Sequence, residues 1–326
     1  MDFGDLVQMN VGQILQSVPV PHQDFRGRTV VITGANTGLG LEAAKHIYRL
    51  NASVVILACR DLYKGDAARR KILDECQTQS ACKLELWHLD MSSFASVLSF
   101  GDKLKTLQRL DAFIANAAVS TNVWSTAEGW ESTLTVNVIS TMLLCFLSLP
   151  KLCETARMTT EPGHLCLTGT VGHIFAKGKA LVKSEPIFES LNDPLTADMT
   201  DRYHLSKLLL ILCFRALSEK LGKPGHMIVS YVNPGWCQTE LFRTDDGGAG
   251  GRFGLWLIGR TAEVGSRTLV HAITDGPHSH GKYLSECRVK PESAFVRSKE
   301  GAAVQEKVWK EMVRILEGIR SGVTRL

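Results

Sequence analysis

The run TVVITGANTGLGLEAAKHI, Thr29 to Ile47, decides the fold. Its first five residues, Thr29–Thr33, form a nearly continuous β-rich run of the kind found in strands buried on both faces. The chain then passes through Thr33-Gly34-Ala35-Asn36-Thr37-Gly38-Leu39-Gly40 and enters a helical pattern over about 39–50. Glycines at this turn allow a tight reversal and let backbone N–H groups approach a pyrophosphate at the positive end of a helix. A glycine-rich turn alone is a weak signal. Placed between a strand and a helix it is specific.

Outward from this turn the alternation continues. Strands are expected at Thr29–Thr33, Val54–Ala58, Leu84–Leu89, Ala112–Ala115, His164–Thr168 and Met227–Val232, with helices near 39–50, 62–76, 93–106, 128–154 and 203–221. Strands alternating with helices predict a parallel sheet with crossover helices on both faces. The fold class is therefore α/β, a Rossmann-like doubly wound parallel sheet with flanking helices. At 326 residues the length alone would allow two domains. No repeat or linker divides the chain, so residues 25–326 read as a single domain with substrate-loop insertions and residues 1–24 as an N-terminal helical extension. The insertions are 171–202 and 236–265. Both follow the C-terminal ends of strands, where open α/β sheets bind ligands. A mobile lid and a solvated loop are the two readings, and the apolar content of 236–265 favours the lid.

Composition excludes several classes. Apolar residues make up 44% and charged residues 21%, and 37 basic against 33 acidic residues leave a net charge of +4 with no sustained basic run. Nucleic acid is not an expected partner. The nine cysteines lie without CxxC spacing, several in apolar runs, so free thiols in a reducing, cytoplasmic setting are expected and a metal site is not. In the extension, Phe3, Leu6, Val7, Val11, Ile14 and Leu15 recur at helical spacing, which predicts a short helix packed on the body. A membrane-surface helix is disfavoured because the polar face has no Lys or Arg. No integral membrane segment is expected, since the longest apolar stretches fall short of a bilayer span.

Two further clusters carry chemistry. The second strand ends Leu57-Ala58-Cys59-Arg60-Asp61. An acidic residue there selects NAD through the ribose 2′-hydroxyl, whereas a cation receives the 2′-phosphate of NADP. Cys59 takes the acidic position and Arg60 follows, and its guanidinium suits bidentate phosphate recognition, so NADP(H) is the expected cofactor. Tyr203 and Lys207, in Tyr203-His204-Leu205-Ser206-Lys207, share one face of a helix. An ammonium beside a phenol favours phenolate and would lower the Tyr203 pKa toward working pH.

These motifs together resemble the short-chain dehydrogenase/reductase family, whose turn has the TGxxxGxG spacing. The resemblance covers about residues 25–320. It implies a cofactor crevice formed by Gly34, Asn36, Thr37, Gly38, Leu39 and Gly40, with Arg60 at the adenosine phosphate and Asp90 at the adenine. It places Asn116 and Ala117 in the crevice wall, and Pro234, Gly235 and Thr239 at the nicotinamide carboxamide. Tyr203 would exchange the proton with the substrate oxygen, Lys207 would also bond the nicotinamide ribose, and Asn137 would hold a water of the proton relay. Thr170 stands where the family's catalytic serine is expected, and keeps the hydroxyl with an added methyl. The 33 residues from Thr170 to Tyr203 resemble the elongated retinol-dehydrogenase and WW-domain oxidoreductase branch. KGDAARRKI, GTVGH and the tail EGAAVQEKVWKEMVRILEGI resemble fungal secondary-metabolite members.

The resemblance implies an enzyme transferring hydride between NADPH and a ketone or secondary alcohol. Phe175, Phe188, Trp236, Leu241, Phe242, Phe253, Trp256 and Leu257 suggest an apolar pocket wall for a bulky small-molecule substrate. Thr170 leaves open a non-redox isomerase or cyclase on the same fold, and a non-catalytic nucleotide-binding protein is a third class. Helices 128–154 and 203–221 build the dimer bundle in many relatives, which allows a homodimer, while the tail helix 301–318 and the N-terminal helix could cover the same surfaces.

Overall fold

The computed structural model describes residues 2–76, 81–242 and 259–326. The central sheet contains β1 (Thr29–Thr33), β2 (Val54–Cys59), β3 (Lys83–His88), β4 (Ala112–Ala115), β5 (Gly163–Thr168), β6 (Met227–Asn233), β7 (Lys282–Ser285) and β8 (Arg288–Lys290). Their spatial order is β8-β7-β6-β5-β4-β1-β2-β3. All neighbours are parallel except the β7–β8 pair. This is the doubly wound sheet expected from the alternation, extended by a hairpin that the sequence reading lacks.

Period-two alternation along buried strands divides the core between the faces. Val31, Ile56, Phe113 and Leu165 face one side with Met142, Leu209 and Val308. Val30, Ile32, Val55 and Ile114 face the other with Ala43, Ile72 and Leu269. The helices are α1 (Phe3–Leu15), α2 (Gly38–Arg49), α3 (Leu62–Cys76), α4 (Phe94–Leu104), α5 (Ser132–Thr159), α6 (Met199–Leu221), α7 (Ala262–Ala272) and α8 (Lys299–Ile319). Five of these match the expected helices within a few residues, and α8 matches the tail helix.

The shifted boundaries have local causes. A short hairpin, Thr126–Ala127 with Trp130–Glu131, delays α5, whose first turn is capped by the Glu131 carboxylate accepting from the Thr133 and Leu134 amides. In α6, Asp198 accepts from the Thr200 and Asp201 amides and starts the helix four residues before Tyr203. Although α5 is long and apolar enough to cross a membrane, 94% of its apolar window is buried inside the fold.

The inserted segment 171–202 is a docked element. Val171–Phe175 and Gly178–Val182 form 3-10 turns, and a short helix follows at Ile187–Leu191. Leu181, Ile187 and Phe188 are buried, and the Glu311 carboxylate of α8 accepts from the Ile187 and Phe188 amides at 2.7 and 2.9 Å. Phe188, placed in the pocket wall by the sequence reading, is instead a core anchor stacked edge-on against Trp130.

Candidate active site

Where β1 and β4 lie side by side the strand order reverses, and the region beyond the C-terminal ends at such a switch point is where open α/β sheets bind ligands in a crevice. Gly34 (φ +65°) and Gly38 (φ +56°) adopt left-handed conformations that favour glycine. At Gly40 a Cβ would lie 2.5 Å from the Gly34 carbonyl oxygen and 2.7 Å from Asn116 Nδ2. Asn116 Nδ2 donates to the Thr33 carbonyl at 2.9 Å, and Thr33 Oγ1 accepts from the Asn116 and Ala117 amides, each at 2.9 Å. These bonds hold the turn against β4. The Thr37 hydroxyl does not cap α2, so no side-chain cap occupies its first turn, and Asn36 and Leu39 beside it are half-buried. A closed cradle at an uncapped helix N-terminus fits the pyrophosphate of a dinucleotide.

Around the cradle, Cys59 is buried, and burial pushes its thiol up to about 11. The next side chain, Arg60, is exposed. The Asp61 carboxylate accepts from the Tyr63 and Lys64 amides and caps α3, and no Arg60–Asp61 ion pair forms. The Asp90 carboxylate accepts from the amide and hydroxyl of Ser92 at 2.9 and 2.6 Å, which fixes the loop after β3. On the other side, Gly235 (φ +88°) follows the buried Pro234, and the Thr239 side chain lies 3.5 Å from where a Gly38 Cβ would be.

Tyr203 and Lys207 are both buried, with the Lys207 ammonium 5.9 Å from the Tyr203 ring centroid. Lys207 Nζ donates to the Thr168 carbonyl at 2.9 Å, and the Tyr231 hydroxyl donates to the Lys207 carbonyl at 3.0 Å. Helix α6 is thereby stitched to β5 and β6. Burial raises the Tyr203 phenol well above its ordinary value, with the Cys237 thiol adding to the shift. Burial also lowers Lys207 to about 8. The expected lowering of the Tyr203 pKa is therefore reversed, because desolvation of the phenolate outweighs an ammonium engaged elsewhere.

Two residues beyond Thr168, Thr170 is extended (φ −160°), and its Oγ1 accepts from the Gly172 amide at 3.0 Å. This bond uses an oxygen lone pair and leaves the O–H available to donate. His173 Nδ1 donates to the Thr170 carbonyl at 2.7 Å while Nε2 accepts from the Ser293 amide at 3.4 Å. Burial keeps that imidazole neutral, as the pairing requires.

Asn137 lies in a π-helical turn of α5, Thr135–Ser140. Its Oδ1 accepts from the Val119 amide and its Nδ2 donates to the Val119 carbonyl, each at 2.9 Å, with Ser206 Oγ at 3.0 Å. The side chain is engaged with protein groups on both ends.

Asn233, absent from the sequence reading, joins the two sides of the site. Its Oδ1 accepts from the Val171 amide at 2.9 Å and the Gly235 amide at 3.2 Å, and its Nδ2 donates to Ser285 Oγ at 2.9 Å. Its position immediately before Pro234-Gly235 at a strand end was the available signal. Phe175 and Trp236 are each 41% exposed and remain available as wall residues. The side chain of Phe242, together with Phe253, Trp256 and Leu257, lies outside the described residues. Among the described residues no cluster of three or more potential metal ligands occurs, and all nine cysteines are free.

Residues 28–159 match the family model for short chain dehydrogenase. The short chain dehydrogenase/reductase dmxR8 of Cryptosporiopsis sp. (strain 8999) is 42% identical over 323 residues, covering 96% of this chain and 97% of that protein. The chain belongs to the short-chain dehydrogenase/reductase family. Short-chain dehydrogenase anuD of Penicillium roqueforti is 39% identical, over 95% of this chain and 83% of its own length. Among solved short-chain dehydrogenase/reductase folds, a short-chain dehydrogenase from Sphingobium yanoikuyae in complex with NADPH superposes with a TM-score of 0.54 at 22% identity, covering 73% of this chain and 81% of that one. The RhlG/NADP active-site complex of Pseudomonas aeruginosa gives 0.61 at 19% identity, covering 81% and 96%.

Proposed function

We propose that this short-chain dehydrogenase/reductase is an NADP(H)-dependent ketoreductase acting in the cytoplasm on a bulky, partly apolar intermediate of fungal secondary metabolism. The observation that carries the reaction type is a buried Tyr203 phenol, kept protonated by burial, on the same helix face as Lys207, whose ammonium bonds the end of β5 two residues before Thr170. Bound NADPH supplies the hydride that adds to the carbonyl carbon. Tyr203 gives its proton to the carbonyl oxygen, so the C=O bond becomes C–H and O–H. Thr170 donates a hydrogen bond to the same oxygen and orients it. Lys207 would hold the nicotinamide ribose and compensate the phenolate left on Tyr203. Asn137 acts as a positioning residue, bracing the Val119 loop against Ser206 one residue from Lys207.

Arg60 supports the cofactor choice, because the Asp61 carboxylate is spent on capping α3. The NADPH and NADP of the two structural neighbours agree with it. The substrate wall would be built from Phe175, Trp236 and Leu241. The deciding experiment is NADPH oxidation followed at 340 nm across a panel of bulky ketones with a Tyr203→Phe variant. The variant should lose at least about 100-fold in kcat while still quenching on NADPH titration. Full turnover by Tyr203→Phe would refute the acid role.

A further inference from the structure

We propose that α1 is a strap that sets the dinucleotide-binding loop, and that Gln13 is its positioning residue. The proposal rests on reading the crevice as a dinucleotide site. An ordinary surface helix docks through its apolar stripe. In α1 most of that stripe faces outward: Phe3 is 80% exposed, Leu15 75%, Ile14 60% and Val7 46%, Leu6 and Met9 are half-buried, and Gly12 is the one buried residue of the helix. Apolar burial, limited to the half-buried Leu6 and Met9, does not by itself explain why the helix lies where it does. Its polar side chains and its last carbonyls do, and they converge on the two sides of the active site.

The first side is the loop after β6. The Gln13 carboxamide clamps the Trp236 backbone, with Oε1 accepting from the amide at 2.8 Å and Nε2 donating to the carbonyl at 3.1 Å. Beneath the loop lies the buried Arg260. Its Nη1 donates to the Pro234 carbonyl at 3.4 Å and pairs with Glu286 at 3.2 Å, while Nη2 donates to the Gly12 carbonyl. This places a guanidinium at the negative end of α1. At Gly235 a Cβ would sit 2.5 Å from Arg260 Nη1 and 2.9 Å from Gln13 Oε1, so the loop backbone rests directly on the strap. Gly12 permits the approach from α1, since a Cβ there would lie 3.0 Å from the Glu286 carboxylate.

The second side is reached through Asp5. Its carboxylate accepts from the Ala294 amide at 3.0 and 3.1 Å, and the preceding amide, of Ser293, donates to the His173 ring that holds the Thr170 carbonyl. One helix thus ties the loop after β6 to the segment that carries Thr170.

The test uses the full chain with Gln13→Met, which keeps side-chain length and helix propensity but removes the amide. Gln13→Ala serves as a second deletion and Val7→Ser, on the outward face, as the control. Four readouts are taken: hydrogen exchange of the 234–239 backbone without ligand, the Kd for NADPH by fluorescence titration, steady-state kcat and KM for NADPH, and the thermal unfolding midpoint. Both Gln13 variants should exchange faster at 234–239 and bind NADPH roughly three- to tenfold more weakly, with kcat less affected than KM for NADPH and with the midpoint of the control. Unchanged exchange and Kd in both variants would overturn the strap. So would weakened binding matched by a general loss of thermal stability, which would mark Gln13 as structural only. Failure of the wild-type chain to bind NADPH or NADH would instead overturn the dinucleotide reading on which the strap rests.

Discussion

Lys207 carries two demands that pull its charge in opposite directions. Its proposed partners, the ribose hydroxyls and the Tyr203 oxygen, call for an ammonium, yet burial lowers it to about 8. Because the charged form of a lysine is lost above its pKa, NADPH binding to the free protein should weaken as pH rises through about 8, measured as Kd between pH 6.5 and 9.5. Tyr203, raised by burial, stays protonated across that range and should add no limb of its own. On the proposed reading, the exposed Arg60 is the side chain that would distinguish the two dinucleotides. Arg60→Ala should raise the KM for NADPH about tenfold or more and leave that for NADH little changed. Equal effects on both would remove Arg60 from phosphate recognition.

Among the elements, the connection between β5 and α6 shows how a long insertion becomes fixed. Glu311, on α8 and 124 residues along the chain from Ile187, accepts from two successive backbone amides of a five-residue helix. A buried carboxylate receiving two N–H bonds is a strong anchor, and its removal orphans both donors. Glu311→Ala should destabilise the chain by about 2–4 kcal/mol in denaturant unfolding and raise exchange over 181–191 without altering the dinucleotide cradle. Uniform protection across that segment would show that Leu181, Ile187 and Phe188 hold it by packing alone. The β7–β8 hairpin has a different lesson. Its turn places Glu286 and Cys287 at φ +51° and +56°, where Asn-Gly or Asp-Gly is the usual signal. Without those residues the hairpin was not legible, although it carries the Glu286 that anchors Arg260.

At the scale of the whole molecule, α8 covers the helices that the family resemblance offered for a dimer. Val304, Val308, Met312 and Leu316 are buried, Trp309 packs on Phe146 of α5, and Gln305 Nε2 donates to Glu219 of α6 at 3.1 Å. With that face filled from within, the chain should elute as a monomer in light-scattering chromatography, and a dimer would require another surface. The six strands of a parallel sheet, the glycine turn and the i, i+4 placement of Tyr203 and Lys207 were all legible in the sequence itself. Each depends on local periodicity or on backbone conformations that few residues adopt. Only the tertiary structure decided that most of the apolar stripe of α1 stays exposed, that the Asn137 side chain bonds Val119, that Asn233 joins the two loops, and that burial raises the Tyr203 phenol. Those outcomes depend on which groups lie opposite and how much water they displace, and desolvation is a property of the folded surroundings that no stretch of sequence encodes alone.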